Sequence, residues 1–186
     1  MRGVGIINVV DIESTCWKGD PPPGETSEII EIGICELDSI TLEVGKRRSI
    51  LCFPVDSTIS PFCTDLTTLT DDMIRRDGVE LSSACALLRT MHKSTDRIWA
   101  SFGDYDRRMF AENCARRNIR YPFGPRHLNV KTLTALAFGW GAEPGMAEVL
   151  RRMGMDLVGT HHRGGDDAYN IALILREILQ TMRGRI

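Results

Sequence analysis

GIINVVDIE, residues 5–13, joins a run of apolar, mostly β-branched side chains to two carboxylates. Such side chains favour strands, so the run predicts a first, buried β-strand. Neighbouring side chains on a strand point to opposite faces. Asp11 and Glu13 therefore share one face, and Ile12 points the other way, into the core. An Asp-x-Glu at a strand end is also typical of an ordinary solvated edge or turn, and the pair alone leaves that alternative open.

Two neighbouring carboxylates repel each other, which destabilises a strand end unless the charge is compensated. A divalent cation is the usual compensation, and hard oxygen ligands of this kind suit Mg²⁺ or Mn²⁺. The acidic pair therefore indicates a metal site at the end of the first strand.

The segments beyond this strand predict a mixed sheet flanked by helices, the pattern of an α/β domain. Apolar or alternating runs predict further strands, and helical spacing predicts helices. The proline-rich residues 18–25 exclude regular structure and predict an exposed loop, placed where it could form a rim of the site. The strands are predicted over residues 29–37, 48–53 and 98–102, and the helices over residues 81–92, 104–118, 131–138, 146–153 and 166–182, the last ending at Gly184.

The composition fits one domain that spans residues 1–186. Hydrophobic residues make up 42% and charged residues 26% of the chain, which allows a real core and argues against wholesale disorder. The sequence predicts neither a membrane span nor a signal peptide. The six cysteines lack C-x-x-C and zinc-finger spacing. We therefore expect free thiols and a reducing, cytoplasmic location.

The formal net charge of −2 argues against a generic polyanion binder. The basic residues are nevertheless bunched, and a local phosphate-binding surface is one interpretation. Solvated helix faces are the other, and the sequence does not say which clusters share a face. The clusters lie at residues 46–48, 75–76, 107–108, 116–120 and 151–152.

Asp106 follows the predicted strand IWASF and falls in the first turn of the next helix. The positive end of the helix dipole favours an anion there. Acids are common at helix starts for purely structural reasons, and Asp104 competes for any functional role. We assign the capping of the helix to Asp104 and metal binding to Asp106.

HHRGGDD, residues 161–167, is the third acidic element and opens the last helix. Its paired glycines permit a close backbone approach. His162 lies five residues before Asp167, a spacing that lets a loop histidine stand over a carboxylate carried by the helix. A lone histidine is usually structural, so the interpretation depends on the other two elements.

The order of the three elements resembles the DEDDh class of 3′→5′ exonucleases, which have an RNase H-like fold with a mixed five-stranded sheet. The resemblance runs nearly end to end. Within that class the chain is similar to the Eri-type exoribonucleases, which trim histone mRNA ends and small RNAs, and to their bacterial KapD-like relatives. The segments that carry this similarity are DIESTC (11–16), EIIEI (28–32), FC (62–63) with LTTLT (66–70), GDYD (103–106), and LRRMGM (150–155) with HRGGDD (162–167).

The resemblance implies hydrolysis of phosphodiester bonds at a 3′ terminus, with release of nucleoside 5′-monophosphates. Two Mg²⁺ or Mn²⁺ ions about 4 Å apart would align and activate a water and stabilise the leaving 3′ oxygen. His162 would be the general base, and because only the neutral imidazole accepts a proton, activity should fall in acid. The metal ligands would be Asp11, Glu13, Asp106 and Asp167.

The same resemblance implies a pocket for the terminal nucleotide, lined by Thr15 and by Leu66, Thr67 and Thr68. Trp17, Phe102 and Tyr105 are candidates for stacking on bases. Phe102 follows a strand and could equally belong to the core. Contacts to the 2′-OH would favour RNA over DNA.

Three positions depart from the family pattern, although none of them removes a catalytic group. Thr68 stands where relatives usually have glycine in an L-T-G-I-T loop, which could alter how the 3′ end is held. Phe102 replaces a polar residue, and Gly164 replaces a frequent alanine between His162 and Asp167.

Other functions remain open on sequence grounds. A 3′→5′ DNA exonuclease or an oligoribonuclease would use the same residues, and a non-catalytic RNase H-like scaffold could bind nucleic acid. The expected partner is single-stranded nucleic acid, with RNA favoured. No membrane partner is expected, a protein partner is possible, and the chain could be a monomer or a homodimer.

Overall fold

The computed structural model describes residues 5–184. The predicted first strand, which begins at Gly5, lies within this range. The sheet has the order β3-β2-β1-β4-β5. β2 pairs antiparallel with both β1 and β3, whereas β4 runs parallel to both β1 and β5. The prediction of a mixed five-stranded sheet is confirmed. The strands are β1 (Ile6–Ser14), β2 (Ile29–Asp38), β3 (Arg48–Leu51), β4 (Ile98–Ser101) and β5 (His127–Asn129).

The helices cover both faces of this sheet. Those predicted in the second half of the sequence are confirmed, with ends that differ by at most two residues. None of the helices described within residues 5–184 is long and apolar enough to cross a bilayer. The helices are α1 (Pro61–Thr67), α2 (Asp71–Asp77), α3 (Leu81–Met91), α4 (Tyr105–Arg116), α5 (Val130–Phe138), α6 (Met146–Arg152) and α7 (Gly164–Arg183).

The short elements α1, α2 and β5 were not predicted from the sequence. Each of the two helices has only seven residues, which is too short for apolar periodicity to be visible. Capping fixes their starts instead, because the side chains of Ser60 and Thr70 accept hydrogen bonds from the backbone of Cys63 and Met73. β5 has three residues and is defined only by its pairing with β4.

The side chains of β1 alternate between two cores, as its sequence predicts. Ile7 and Val9 pack on the side of α5, α6 and α7. Val10 and Ile12 pack on the opposite side, against α3 and α4. Asp11 and Glu13 continue the register of Ile7 and Val9, so the strand directs both carboxylates toward α7.

The start of α7 crosses β2 at a contact between two glycines. A Cβ atom built on Gly33 would lie 1.8 Å from the carbonyl oxygen of Gly164, so position 33 has no room for a side chain. A Cβ atom on Gly164 would lie 2.9 Å from the Gly33 nitrogen. The close crossing brings the first turn of α7, with Asp167, directly over the sheet beside β1.

All six cysteines are free thiols, as expected. Five of them are buried, and Cys16 is partly exposed. The sulfur atoms of Cys85 and Cys114 lie 4.0 Å apart, about twice the length of a disulfide bond.

Thr68 follows α1 in the left-handed conformation, with φ 62° and ψ 4°. This conformation costs a residue with a Cβ atom about 1–2 kcal/mol. Glycine, which stands at this position in the family that the sequence resembles, would adopt this positive φ without strain. We expect Thr68→Gly to raise the free energy of unfolding by up to about 1 kcal/mol, because the flexibility of glycine in the unfolded chain offsets part of the relieved strain.

Urea unfolding would measure this change, with Thr90→Gly as the control. Thr90 is exposed on α3, and glycine there should lower stability by a few tenths of a kcal/mol. If both variants were destabilised to the same extent, the backbone of Thr68 would not be strained.

Candidate active site

One open cavity of about 330 Å³ contains all five residues that the sequence analysis placed in the catalytic site. β1 contributes its C-terminal half, α4 its first turn, and α7 its first turn and the loop before it. Three segments that are far apart in the sequence therefore meet. The predicted catalytic residues that line the cavity are Asp11, Glu13, Asp106, His162 and Asp167.

The carboxylates converge closely enough to share a ligand. Oxygen atoms of Asp11, Glu13 and Asp167 lie within 4.8 Å of one another. Asp106 is 4% exposed, and its Oδ1 accepts a hydrogen bond of 3.0 Å from the backbone nitrogen of Ile12. This bond ties α4 to β1 between the two acids of the strand.

Burial and mutual repulsion disfavour the charged form of these carboxyls. Burial, and then the charges of Asp106, Glu13 and Asp167, raise the pKa of Asp11 well above its usual range. The same effects raise the pKa of Glu13 to about 8. Burial raises the pKa of Asp106 to about 7 and moves the pKa of Asp167 upward. The acids would need a compensating positive charge to ionise together.

This donor set fits a divalent cation. The ligand atoms are carboxylate oxygens, which hard cations such as Mg²⁺ and Mn²⁺ prefer. They converge on one cavity, where burial and the neighbouring carboxylates raise the pKa of Asp11 and Glu13. The expected ligands Asp11, Glu13 and Asp167 have oxygen atoms close enough to one another to hold one ion. Asp106, the fourth expected ligand, lines the same cavity.

Two histidines, not one, surround Asp167. The backbone nitrogen of His162 donates to Asp167 Oδ2 at 2.9 Å, and His162 has a positive φ of 63°. Nδ1 of His161 lies 3.0 Å from the same oxygen, and the two imidazole rings stack with centroids 4.0 Å apart. Burial and the neighbouring His161 lower the pKa of His162, which favours its neutral form. No role for His161 was predicted from the sequence.

Glu31 is a second residue that the sequence analysis left without a role. Its side chain is fully buried in β2, and Oε2 accepts a hydrogen bond of 3.0 Å from the backbone nitrogen of Gly164. Arg163 pairs with the same carboxylate at 3.2 Å, and its Nη1 lies 3.4 Å from Thr68 Oγ1. Glu31 thus anchors the start of α7 to the sheet. Its position in EIIEI was visible in the sequence, but its partners were not.

Asp104 occupies the N-cap position of α4, but its side chain does not cap the helix. The expectation of a capping side chain was therefore wrong. The φ and ψ of Asp104, −106° and −1°, differ from the extended conformation of a usual N-cap. Its carboxylate instead contacts Arg107 at 3.2 Å and accepts from Asn129 Nδ2 at 3.3 Å.

The residues expected to bind the substrate divide into two groups. Leu66, Phe102 and Tyr105 line the cavity. Phe102 also packs against the core beside α7, so its position is compatible with both interpretations. Tyr105 remains 45% exposed, and its hydroxyl lies 2.8 Å from Ser14 Oγ. These positions allow contact with a bound nucleotide.

Thr15 and Thr67 do not line the cavity, contrary to expectation. Both residues are fully buried. Thr15 Oγ1 accepts from the nitrogen of Glu28 at 2.9 Å, and Thr67 Oγ1 donates to the carbonyl of Cys63 at 2.8 Å. Each hydroxyl bonds to a backbone group. The sequence motif does not reveal this role. Neither Trp17 nor the proline-rich loop contributes to the described lining of this cavity.

Comparison with known proteins shows the family to which the chain belongs. A model of the family described as exonuclease (RNase_T) matches residues 9–175. Human 3′-5′ exoribonuclease 1 is 27% identical over 183 residues, which cover 94% of this chain and 52% of the relative. The chain thus spans about half the length of the curated relatives it matches.

Two solved nuclease structures have the same fold as this chain. The nuclease domain of 3′hExo, described as a DEDDh family member bound to rAMP, superposes with a TM-score of 0.81 and 26% identity. The match covers 95% of this chain and 92% of that chain. A structure of 3′-exonuclease described by its 3′-end-specific recognition of the histone mRNA stem-loop also has a TM-score of 0.81 and 26% identity, and the match covers 95% of this chain and 64% of that chain.

Proposed function

Because the chain belongs to the exonuclease (RNase_T) family, we propose that it is a metal-dependent 3′→5′ exoribonuclease. Its substrate would be the 3′ end of single-stranded RNA or an RNA overhang, and its product nucleoside 5′-monophosphates. One observation carries this proposal: four acids and a histidine from β1, α4 and α7 converge on one cavity. A scaffold that only bound nucleic acid would have no use for acids that repel one another in this way.

The ions proposed for this site are two Mg²⁺ or Mn²⁺, held by Asp11, Glu13, Asp106 and Asp167. When bound, they would lower the pKa of the attacking water and stabilise the negative charge on the leaving 3′ oxygen. Oxygen atoms of three of these acids already lie within 4.8 Å of one another, so little rearrangement is needed for binding.

The proton of the attacking water would pass to an imidazole nitrogen of His162. The backbone of His162 is fixed by its bond to Asp167, which holds the ring at the rim of the cavity. The lowered pKa keeps this imidazole neutral and able to accept a proton near neutral pH. Leu66, Phe102 and Tyr105 would enclose the terminal nucleotide.

The stacked histidines allow a direct test of the base. We expect His162→Ala to lower kcat by about 10²–10⁴-fold, the usual contribution of a general base. His161→Ala should lower kcat much less, because His161 contacts Asp167 rather than the attacking water. Steady-state kinetics on RNA would compare the two variants. A larger loss in His161→Ala would transfer the role of the base to His161.

The proposed activity can be tested with a 3′-accessible single-stranded RNA, Mg²⁺ or Mn²⁺, and a matched DNA strand. We expect release of 5′-monophosphates from RNA that stops when EDTA is added. The absence of EDTA-sensitive release would reject the proposal. Faster digestion of the DNA would favour the second candidate, a 3′→5′ DNA exonuclease. A preference for the shortest members of an RNA length series would favour an oligoribonuclease.

Several further aspects of the function are proposals that depend on the same activity. Residues 1–186 would act as one exonuclease domain. Single-stranded RNA is the proposed partner, the proposed compartment is the cytoplasm, and the chain would act as a monomer or a homodimer, with or without a protein partner.

A further inference from the structure

We propose that Arg107 and Arg108, with Lys131 beside them, form a phosphate-binding surface for the RNA strand upstream of the hydrolysed bond. We call these three residues the cationic corner, since they lie where β4 turns into α4 and where α5 begins. This inference rests on the proposed function and assigns a direction to the substrate: the strand leaves the catalytic cavity over Tyr105.

The cationic corner adjoins the catalytic cavity directly. A second, shallow cavity of about 480 Å³ is lined by Tyr105, Arg107 and Arg108, together with Asp104 and Ala111. Tyr105 also lines the catalytic cavity, so its ring separates the two spaces. The guanidinium of Arg108 lies 5.6 Å from the centre of that ring. A chain that passes over Tyr105 therefore meets an arginine at once.

Lys131, at the start of α5, lies close to the segment that joins β4 to α4. Its Cδ atom lies 3.9 Å from the place where a Cβ atom would stand on Gly103. Gly103 directly follows Phe102, which lines the catalytic cavity. The lysine thus reaches this segment from the start of α5, and the arginines stand in the first turn of α4 that follows it.

The arginines of the corner are only loosely held by acids. The nearest acid to Arg107 is Asp104 at 3.2 Å, and the nearest to Arg108 is Glu112 at 3.8 Å. In contrast, Arg117 bonds two carboxylates at 2.6 and 2.7 Å. Weakly paired arginines can exchange an acid for a phosphate without leaving a buried charge unpaired.

Exposed acids stand near two other lining residues of the catalytic cavity in the sequence. Asp65 directly precedes Leu66, and Glu143 precedes Met146 by three positions. The cationic corner, in contrast, places positive charge beside the cavity through Tyr105, and positive charge attracts a polyanion.

Binding of RNA tests the corner without requiring catalysis. The background would be Asp167→Asn with Mg²⁺, and the probe a fluorescein-labelled single-stranded RNA of about ten nucleotides, a length typical of one binding surface. We expect R107Q/R108Q to raise the Kd about tenfold. The slope of log Kd against log salt concentration should fall by about 1.4, or about 0.7 for each lost phosphate contact. R107K/R108K should retain most of the binding, since it keeps both charges.

R75Q/R76Q provides the matched control, because these adjacent arginines are also exposed on a helix and are paired with Asp71 and Asp77. This variant should leave the Kd and the salt slope unchanged. Equal loss in both double variants, an unchanged Kd in R107Q/R108Q, or no RNA binding by the parent would overturn the proposal.

Hydrolysis by the otherwise unmodified protein separates this inference from the proposed function. R107Q/R108Q should raise the KM for the longer RNA with little change in kcat. The effect on a diribonucleotide should be several-fold smaller, because its chain is too short to reach the corner. An equal effect on both substrates would count against the corner. Absence of RNA hydrolysis by the unmodified protein would instead count against the proposed function.

Discussion

Asp11→Asn should abolish RNA hydrolysis and at the same time stabilise the metal-free protein. Rates should fall by about 10³-fold or more, because bound cations contribute several kcal/mol to a charged transition state and each 1.4 kcal/mol is about tenfold in rate. Asparagine has nearly the same shape as aspartate but is a much weaker ligand for a hard cation. Single-turnover hydrolysis of a labelled RNA would measure the loss.

The expected gain in stability follows from the same charges. Burial, and then the charges of Asp106, Glu13 and Asp167, raise the pKa of Asp11, so its charged form is disfavoured in the folded protein. Two unit charges about 4 Å apart interact by about 4 kcal/mol at the effective dielectric near a protein surface. Removal of one charge should therefore raise the free energy of unfolding by on the order of 1 kcal/mol, once partial exposure of Asp11 is allowed for.

Thermal unfolding with and without Mn²⁺ would test both effects together. The midpoint of the unmodified protein should rise when Mn²⁺ is added, because the ion binds only the folded state. The midpoint of Asp11→Asn should start higher and respond less. Asp96→Asn is the control, since Asp96 is exposed and lies outside the cavity. Full activity in Asp11→Asn would reject the assignment of Asp11 as a ligand.

Gly33→Ala should produce the largest structural effect of a single methyl group. Its Cβ atom would lie 1.8 Å from the carbonyl oxygen of Gly164 and 2.5 Å from the nitrogen of Gly165, and both neighbours are backbone atoms that cannot rotate away. The start of α7 would have to move off the sheet. We expect stability to fall by about 3 kcal/mol or more, at the upper end for overpacking.

Activity should fall with stability in Gly33→Ala, because α7 carries Asp167 and the loop before it carries His162. The added methyl group would break the bond between Glu31 and Gly164 and separate Asp167 from Asp11 and Glu13. Urea unfolding and RNA hydrolysis at a temperature where the variant is folded would measure the two effects separately.

Gly164→Ala is the informative comparison for this crossing. The methyl group of this variant would lie 2.9 Å from the Gly33 nitrogen and 3.3 Å from the Asp11 carbonyl oxygen. The Gly33 nitrogen is a backbone atom, so the start of α7 would have to shift, but much less than in Gly33→Ala, and alanine is frequent at this position in the family that the sequence resembles. We expect a loss of about 1 kcal/mol and retained activity. Equal damage from both variants would show that the crossing tolerates no movement at all.

Much of the fold could be predicted because its elements carry local signals. The alternation of β1 gave the face of Asp11 and Glu13 correctly, since side-chain direction in a strand depends only on position. Helical spacing located α3 to α7 within two residues. The short elements α1, α2 and β5 gave no such signal, because each depends on a cap or on one neighbouring strand rather than on periodicity.

The sequence by itself determined which acids and which histidine form the candidate site, because their order along the chain, with Asp-x-Glu at a strand end and His-x4-Asp opening the last helix, is the pattern of one nuclease class. Only the tertiary structure decided the partners of these residues. The pairing of His161 with Asp167, the anchoring of α7 by Glu31 and the backbone contacts of Thr15 and Thr67 all join positions through hydrogen bonds that residue types do not specify. The glycine crossing of Gly33 and Gly164 is the physical reason that the acids meet, since two backbones without side chains can approach closely enough to bring α7 onto β1.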